Sequence, residues 1–151
     1  PFLALLHDTD LPVFGFCGGF QFLMLAHGCD VVPLGGSVTV DGDRVIDVGG
    51  RPFEFGYHPI DIRTDAAGHP LFTGLDPLPV FRHAHGLHVP QPPAGFETLA
   101  STPATAVQVV VDSGRRRVGT QFHPEYWTDE HDAGRTLIAN FLDWVGLAPI
   151  N

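Results

Sequence analysis

The sequence is poor in basic residues: 8 Lys and Arg stand against 17 Asp and Glu, a formal net charge of −9 at pH 7. A surface of that sign repels phosphate backbones and anionic headgroups, so neither a nucleic acid nor a membrane surface is expected as a partner. The one basic cluster, Arg115 to Arg117, follows Asp112-Ser113-Gly114 between two apolar runs and reads as a solvated hairpin tip. Cysteine is just as scarce. Cys17 and Cys29 are the only two, too few for a disulfide scaffold and wrongly spaced for a CxxC metal site, which points to a reducing, cytoplasmic setting. No run of about 18 uninterrupted apolar residues offers a membrane span. The opening "PFLALLHDTD" also lacks the basic start of a signal peptide. Internal repeats, low-complexity tracts and interdomain linkers are missing too. The sequence begins at Pro1 rather than Met, as a fragment or processed product would.

What is present is a globular composition, 44% hydrophobic and 17% charged over 151 residues, which suits one domain with a packed core. "FLALL" reads as a helix ending at "HDTD", and "LPVFGF" as a short buried strand. In "GGFQFLMLAHG", Phe20, Leu23 and Met24 fall at helical spacing and Gly28 is a stop signal. "CDVVPLGG" reads as the next strand, followed by a stretch from Ser37 to Pro103 rich in Gly, Pro and short apolar pieces. "AVQVVVDSGRRRVGTQF" predicts two strands joined by a tight turn. A closing amphipathic helix carries Leu137, Ile138, Phe141, Leu142 and Val145 on one face. These elements predict an α/β sandwich with a mostly parallel central sheet and an antiparallel extension.

"GFCGGF" sets a thiol, Cys17, between a strand and a helix with Gly15 and Gly19 two residues to either side. A nucleophile on such a turn has a strained backbone and needs bare neighbours. It also sits at a helix N-terminus, where free N–H groups favour thiolate. The Gly18 N–H is placed to stabilise an oxyanion. The same glycines would equally serve close packing around a buried structural cysteine, and the motif alone leaves both readings open. A phosphate-binding turn is disfavoured, because the G-x-G-x-x-G spacing and a P-loop lysine are both lacking.

A cysteine nucleophile needs a histidine base, and the base benefits from a carboxylate that orients it. Of the nine histidines, His7 and His27 fall at helix ends, and His58, His69 and His131 lie in polar loop context. "FHPE" differs: it follows an apolar strand, Pro124 stiffens the turn, and Glu125 lies two residues beyond His123. His83, His85 and His88 in "HAHGLH" have spacing that zinc can use, but no acidic or cysteine ligand accompanies them in sequence, and a strand end of this kind can line a cleft instead.

Taken together, "PVFGFCGGFQ" and "GTQFHPE" resemble the signatures of the class I (triad) glutamine amidotransferases, G-[hydrophobic]-C-x-G-x-Q and a downstream Q-F-H-P-E. Gly15, Cys17, Gly19 and Gln21 match the first; Gln121 to Glu125 match the second. The resemblance extends through "HAHGLHVPQPPAGFETLAST" to the closing helix at Asn140-Phe141. It implies a three-layer, flavodoxin-like α/β fold over residues 1–151, lacking the family's first strands. It implies glutamine hydrolysis to glutamate and ammonia by a Cys17–His123–Glu125 triad, with Gly18 at the oxyanion and Gln21 and His85 holding L-glutamine. No cofactor and no metal is implied for the hydrolysis, and the ammonia goes to a synthase domain or subunit. The family's Gly-rich loop, which supplies a second oxyanion N–H, precedes the elbow and falls outside this sequence, so weak or no activity is expected of these residues alone. Two alternatives stay open: a stand-alone γ-glutamyl hydrolase of the same superfamily, and a non-catalytic regulatory module retaining the fold.

Overall fold

The computed structural model describes residues 1–35 and 37–147. Its centre is a five-stranded sheet in the order β1 (Val13–Phe16), β10 (Arg117–Thr120), β9 (Val109–Asp112), β8 (Glu97–Ser101) and β5 (Asp61–Ile62). β9 and β10 are the expected hairpin, and its turn is completed by Arg116 at a φ of 54°. Val109, Val110 and Val111 are all buried, because a strand alternates its side chains and both faces are covered here. Val110 joins a cluster with Phe20, Leu23 and Met24 of α2 (Gly18–Ala26). Val109, Val111 and Val118 join another with Leu137 and Phe141 of α3 (Ala133–Trp144). Each fully buried side chain of this kind stabilises by about 1.5–3 kcal/mol. Helix, sheet and helix thus form three layers.

The expectation of a mostly parallel sheet is corrected. Among the described strands only β1 and β10 run parallel, and the pairs β10–β9, β9–β8 and β8–β5 are antiparallel. Parallel neighbours require a crossover between strands. Here β1 and β10 are linked through α2 and the long middle of the chain, and β1 is an edge of the sheet.

The Gly- and Pro-rich middle is more ordered than its composition implies. β3 (Val45–Asp47), β4 (Pro52–Pro59) and β6 (Val80–His85) form a second, antiparallel sheet, in which Glu54 pairs with His85 and Gly56 with His83. Along β6, Phe81, His83 and His85 are buried and the residues between them are half-buried, the period-2 signature of a one-sided strand. The strand expected over "CDVVPLGG" contracts to β2 (Val32–Pro33), paired with β7 (Leu87–His88); Gly36 lies outside the described residues.

Arg117 is a second correction. Arg115 and Arg116 are exposed as expected, but Arg117 is wholly buried on β10. Its guanidinium donates to the carbonyls of His7 and Thr9 and to His27 Nε2. Those carbonyls close α1 (Phe2–Asp8), a helix with no buried residue of its own, so a cation at its C-terminal end ties it to the sheet.

Candidate active site

Cys17 joins β1 to α2 with φ 44° and ψ −102°, a backbone conformation that costs a non-glycine residue on the order of 1–3 kcal/mol. Hydrogen bonds fix it from both sides. Its N–H donates to Thr120 O at 2.7 Å, and its carbonyl accepts from Gln21 N at 2.9 Å to start the helix. The turn brings β1 so close to α2 that a Cβ on Gly15 would lie 2.7 Å from the Gly19 carbonyl and the Phe20 nitrogen. A Cβ on Gly19 would meet nothing, so the expected need for bare residues on both sides holds only at Gly15. Gly18 is the first residue of α2, and its N–H is among those that have no intrahelical acceptor.

His123 follows the end of β10, the strand that pairs with β1, and this places it beside Cys17 although 106 residues separate them. Its N–H donates to Arg82 O on β6 at 2.8 Å, which clamps the turn between the two sheets. Its Nδ1 donates to Glu125 Oε1 at 2.7 Å. With Nδ1 occupied, Nε2 is the nitrogen left for Cys17. The interaction with Cys17 raises the His123 imidazole most; burial opposes it, Glu125 adds to it, and the result is about 9. His123 is therefore cationic at neutral pH.

The two glutamines of the motifs meet at the thiol. Gln121 is fully buried, and its Nε2 lies 3.8 Å from Cys17 Sγ. The Gln21 Nε2 points to Gln121 Oε1 at 3.5 Å and to Leu87 O at 3.4 Å. Beside them opens a cleft of about 500 Å³ lined by Cys17, Gln21, Arg51, Phe53, His85 and Leu87. Sequence pattern assigned no role to Gln121, Arg82 or Gly134. A Cβ on Gly134, at the start of α3, would collide with the Pro124 carbonyl, so the helix packs directly on the His123 turn.

His85 lines this cleft but is nearly buried, with Nε2 donating to Glu54 Oε2 at 2.7 Å and Nδ1 to Leu87 O at 2.8 Å. The absence of an acidic neighbour expected for "HAHGLH" is thus corrected: Glu54 arrives from β4, and Glu54, His83 and His85 place potential ligand atoms within 4.8 Å of one another. The carboxylate is already surrounded by donors, however: Arg44 at 3.2 Å on Oε1, and Gln108 at 2.9 Å and Thr105 at 3.5 Å on Oε2. Burial acts to raise the Glu54 carboxyl, but the His85 hydrogen bond and the neighbouring imidazoles outweigh it and hold it at about 2. Burial drives His83, whose ring nitrogens have no hydrogen-bond partner, down to about 4 against the pull of Glu54.

The family description "Glutamine amidotransferase class-I" matches residues 2–144. A GMP synthase [glutamine-hydrolyzing] of Phenylobacterium zucineum is 37% identical over 139 residues, covering 90% of this chain and 23% of that protein. That of Leifsonia xyli is 33% identical over 140 residues, covering 91% and 24%. The chain therefore spans about a quarter of the length of these curated relatives. Among solved structures, a putative GMP synthase protein of Thermoplasma acidophilum superposes with a TM-score of 0.73 at 24% identity, over 95% of this chain and 62% of that one. A glutamine amidotransferase of Thermotoga maritima gives 0.71 at 14% identity, over 96% and 67%. These two likenesses establish the fold, and the family match over nearly the whole chain establishes the rest: the chain belongs to the class-I glutamine amidotransferases.

Proposed function

We propose that this chain hydrolyses the side-chain amide of L-glutamine, with Cys17 as nucleophile, His123 as proton carrier and Glu125 as the residue that orients His123. The observation that carries the reading is a strained cysteine at a helix N-terminus beside a histidine that is itself held by a carboxylate at 2.7 Å.

In this reading Cys17 Sγ attacks the carboxamide carbon, and the oxygen, now negative, accepts from the Gly18 N–H. His123 gives its proton to the amide nitrogen, the C–N bond breaks, and ammonia leaves behind a γ-glutamyl thioester. Neutral His123 then takes a proton from water as the water oxygen attacks the thioester carbon, the C–S bond breaks, and glutamate leaves with Cys17 regenerated. Gln21 and the cleft beside Cys17 hold the substrate, and none of these steps calls for a cofactor. The names of the curated relatives support delivery of the ammonia to a GMP-forming synthase domain or subunit.

The test is glutamate and ammonia release from L-glutamine by the full-length protein. Cys17→Ala is expected to lower the rate on the order of 10⁴-fold or more; equal release by both proteins sinks the assignment.

A further inference from the structure

Among the described residues, the most heavily hydrogen-bonded buried group outside the Cys17–His123–Glu125 constellation is Glu54. Its carboxylate receives Arg44, His85, Gln108 and Thr105, and both Glu54 and His85 are withdrawn from solvent. Breaking a buried pair leaves an uncompensated charge, so the arrangement is a rigid one. The donors crowding the carboxylate also leave it poorly suited to a cation. What this hub touches next is the cleft. His85 is opposite Glu54 on the neighbouring strand, and its other nitrogen reaches forward to Leu87 O at 2.8 Å.

Apart from His85, the Leu87 segment is held by Leu34 N–H, which donates to Gly86 O at 2.9 Å, and by a short ribbon. Leu87 belongs to this ribbon of two residue pairs, Val32 with His88 and Pro33 with Leu87, and the residue is 43% exposed. A two-stranded ribbon of that length is not stable alone. Yet the Leu87 carbonyl is also an acceptor for Gln21 Nε2, and both residues line the wall next to Cys17.

We propose that the buried Glu54–His85 pair is a positioning unit for the substrate cleft: it holds the Leu87 carbonyl in place and, through that carbonyl, the carboxamide of Gln21 beside Cys17. The proposal rests on the glutaminase reading given above. His85 does not touch the reacting atoms here. It acts through Leu87, and the fixed end of the chain of contacts is Glu54.

Two substitutions separate the two nitrogens of His85. In His85→Asn the amide nitrogen falls near the place of Nδ1 and can still donate to Leu87 O; in His85→Gln it falls near the place of Nε2 and keeps Glu54 instead. Two reagents separate cleft from thiol. The glutamine-shaped diazoketone 6-diazo-5-oxo-L-norleucine must occupy the cleft to alkylate Cys17, whereas iodoacetamide reports on the thiolate. Each variant breaks one link of the Glu54–His85–Leu87 chain, so with the full-length protein both are expected to slow diazoketone labelling about tenfold or more while iodoacetamide labelling stays within about twofold. The proposal is overturned if His85→Gln labels with both reagents at the wild-type rates. It is overturned equally if the two rates fall in parallel in both variants, as a purely structural role would give, or if His85→Asn labels with the diazoketone at the wild-type rate. A wild-type protein that iodoacetamide labels and the diazoketone does not would overturn the glutaminase reading itself, a result distinct from any of these.

Discussion

Gly134 and Pro124 are in contact: the backbone at the start of α3 lies so close to the Pro124 carbonyl that no Cβ fits between them. The turn that carries His123 and Glu125 is therefore set by the seat of a helix as well as by its own sequence. Gly134→Ala is expected to push this turn away from Cys17. Displacements of about 1 Å at a catalytic group cost around a hundredfold in rate, so glutamate release should fall by about that factor with the far-ultraviolet circular dichroism unchanged. Wild-type turnover in this variant would show that the contact does not set the site.

Gly15 and Gly19 flank Cys17 symmetrically in sequence but not in space. Gly15→Ala forces a Cβ into the backbone of α2 and is expected to destabilise by about 1–3 kcal/mol, as overpacking does. Gly19→Ala adds a methyl where nothing lies within 4 Å, and Ala suits a helix better than Gly by roughly 0.5–1 kcal/mol. Urea unfolding of the two variants should give midpoints on opposite sides of the wild type.

His123 is raised from 6.5 to about 9, with Cys17 the largest cause. A raised folded value means that the protonated form is favoured by the fold. The contribution is complete below about 6.5 and is lost as pH rises through about 9. The His123 ring resonances in nuclear magnetic resonance spectra are expected to titrate near 9 in the wild type and distinctly lower in Cys17→Ala. An unchanged midpoint in that variant would remove Cys17 as the cause.

Glu54 and His83 act at the acid end. Glu54 is lowered from 4.5 to about 2, and His83 from 6.5 to about 4. In both cases the unfolded chain binds more protons than the fold, so stability is complete above the unfolded values and lost as pH falls. The urea midpoint is expected to decline in two stages, from about pH 6.5 to 4 for His83 and from about 4.5 to 2 for Glu54. Glu54→Gln should flatten the lower stage while lowering stability at neutral pH.

The elbow and the "FHPE" turn were legible in the sequence because their geometry is local. Gly15 and Cys17 are two residues apart, as are His123 and Glu125, and each pair sits at the end of an apolar strand. Arg117 was misread for the same reason in reverse. Its neighbours in sequence are exposed charges, while the carbonyls that hold it, those of His7 and Thr9, are over 100 residues away. Glu54 and His85 meet only through the β4–β6 register, 31 residues apart, and no spacing rule signals that pairing. The parallel sheet was overestimated because short apolar strands read alike in either direction; what decides is the connection, and a tight turn such as that from Ser113 to Arg116 admits only an antiparallel partner.

What decides the function is whether the Cys17 thiol acts on glutamine bound in the cleft beside it. Labelling of the full-length protein with 6-diazo-5-oxo-L-norleucine, followed by peptide mapping, answers this. The expected result is a single adduct on Cys17 whose formation is slowed by L-glutamine. Labelling at another residue, or labelling of Cys17 that L-glutamine does not slow, would contradict it.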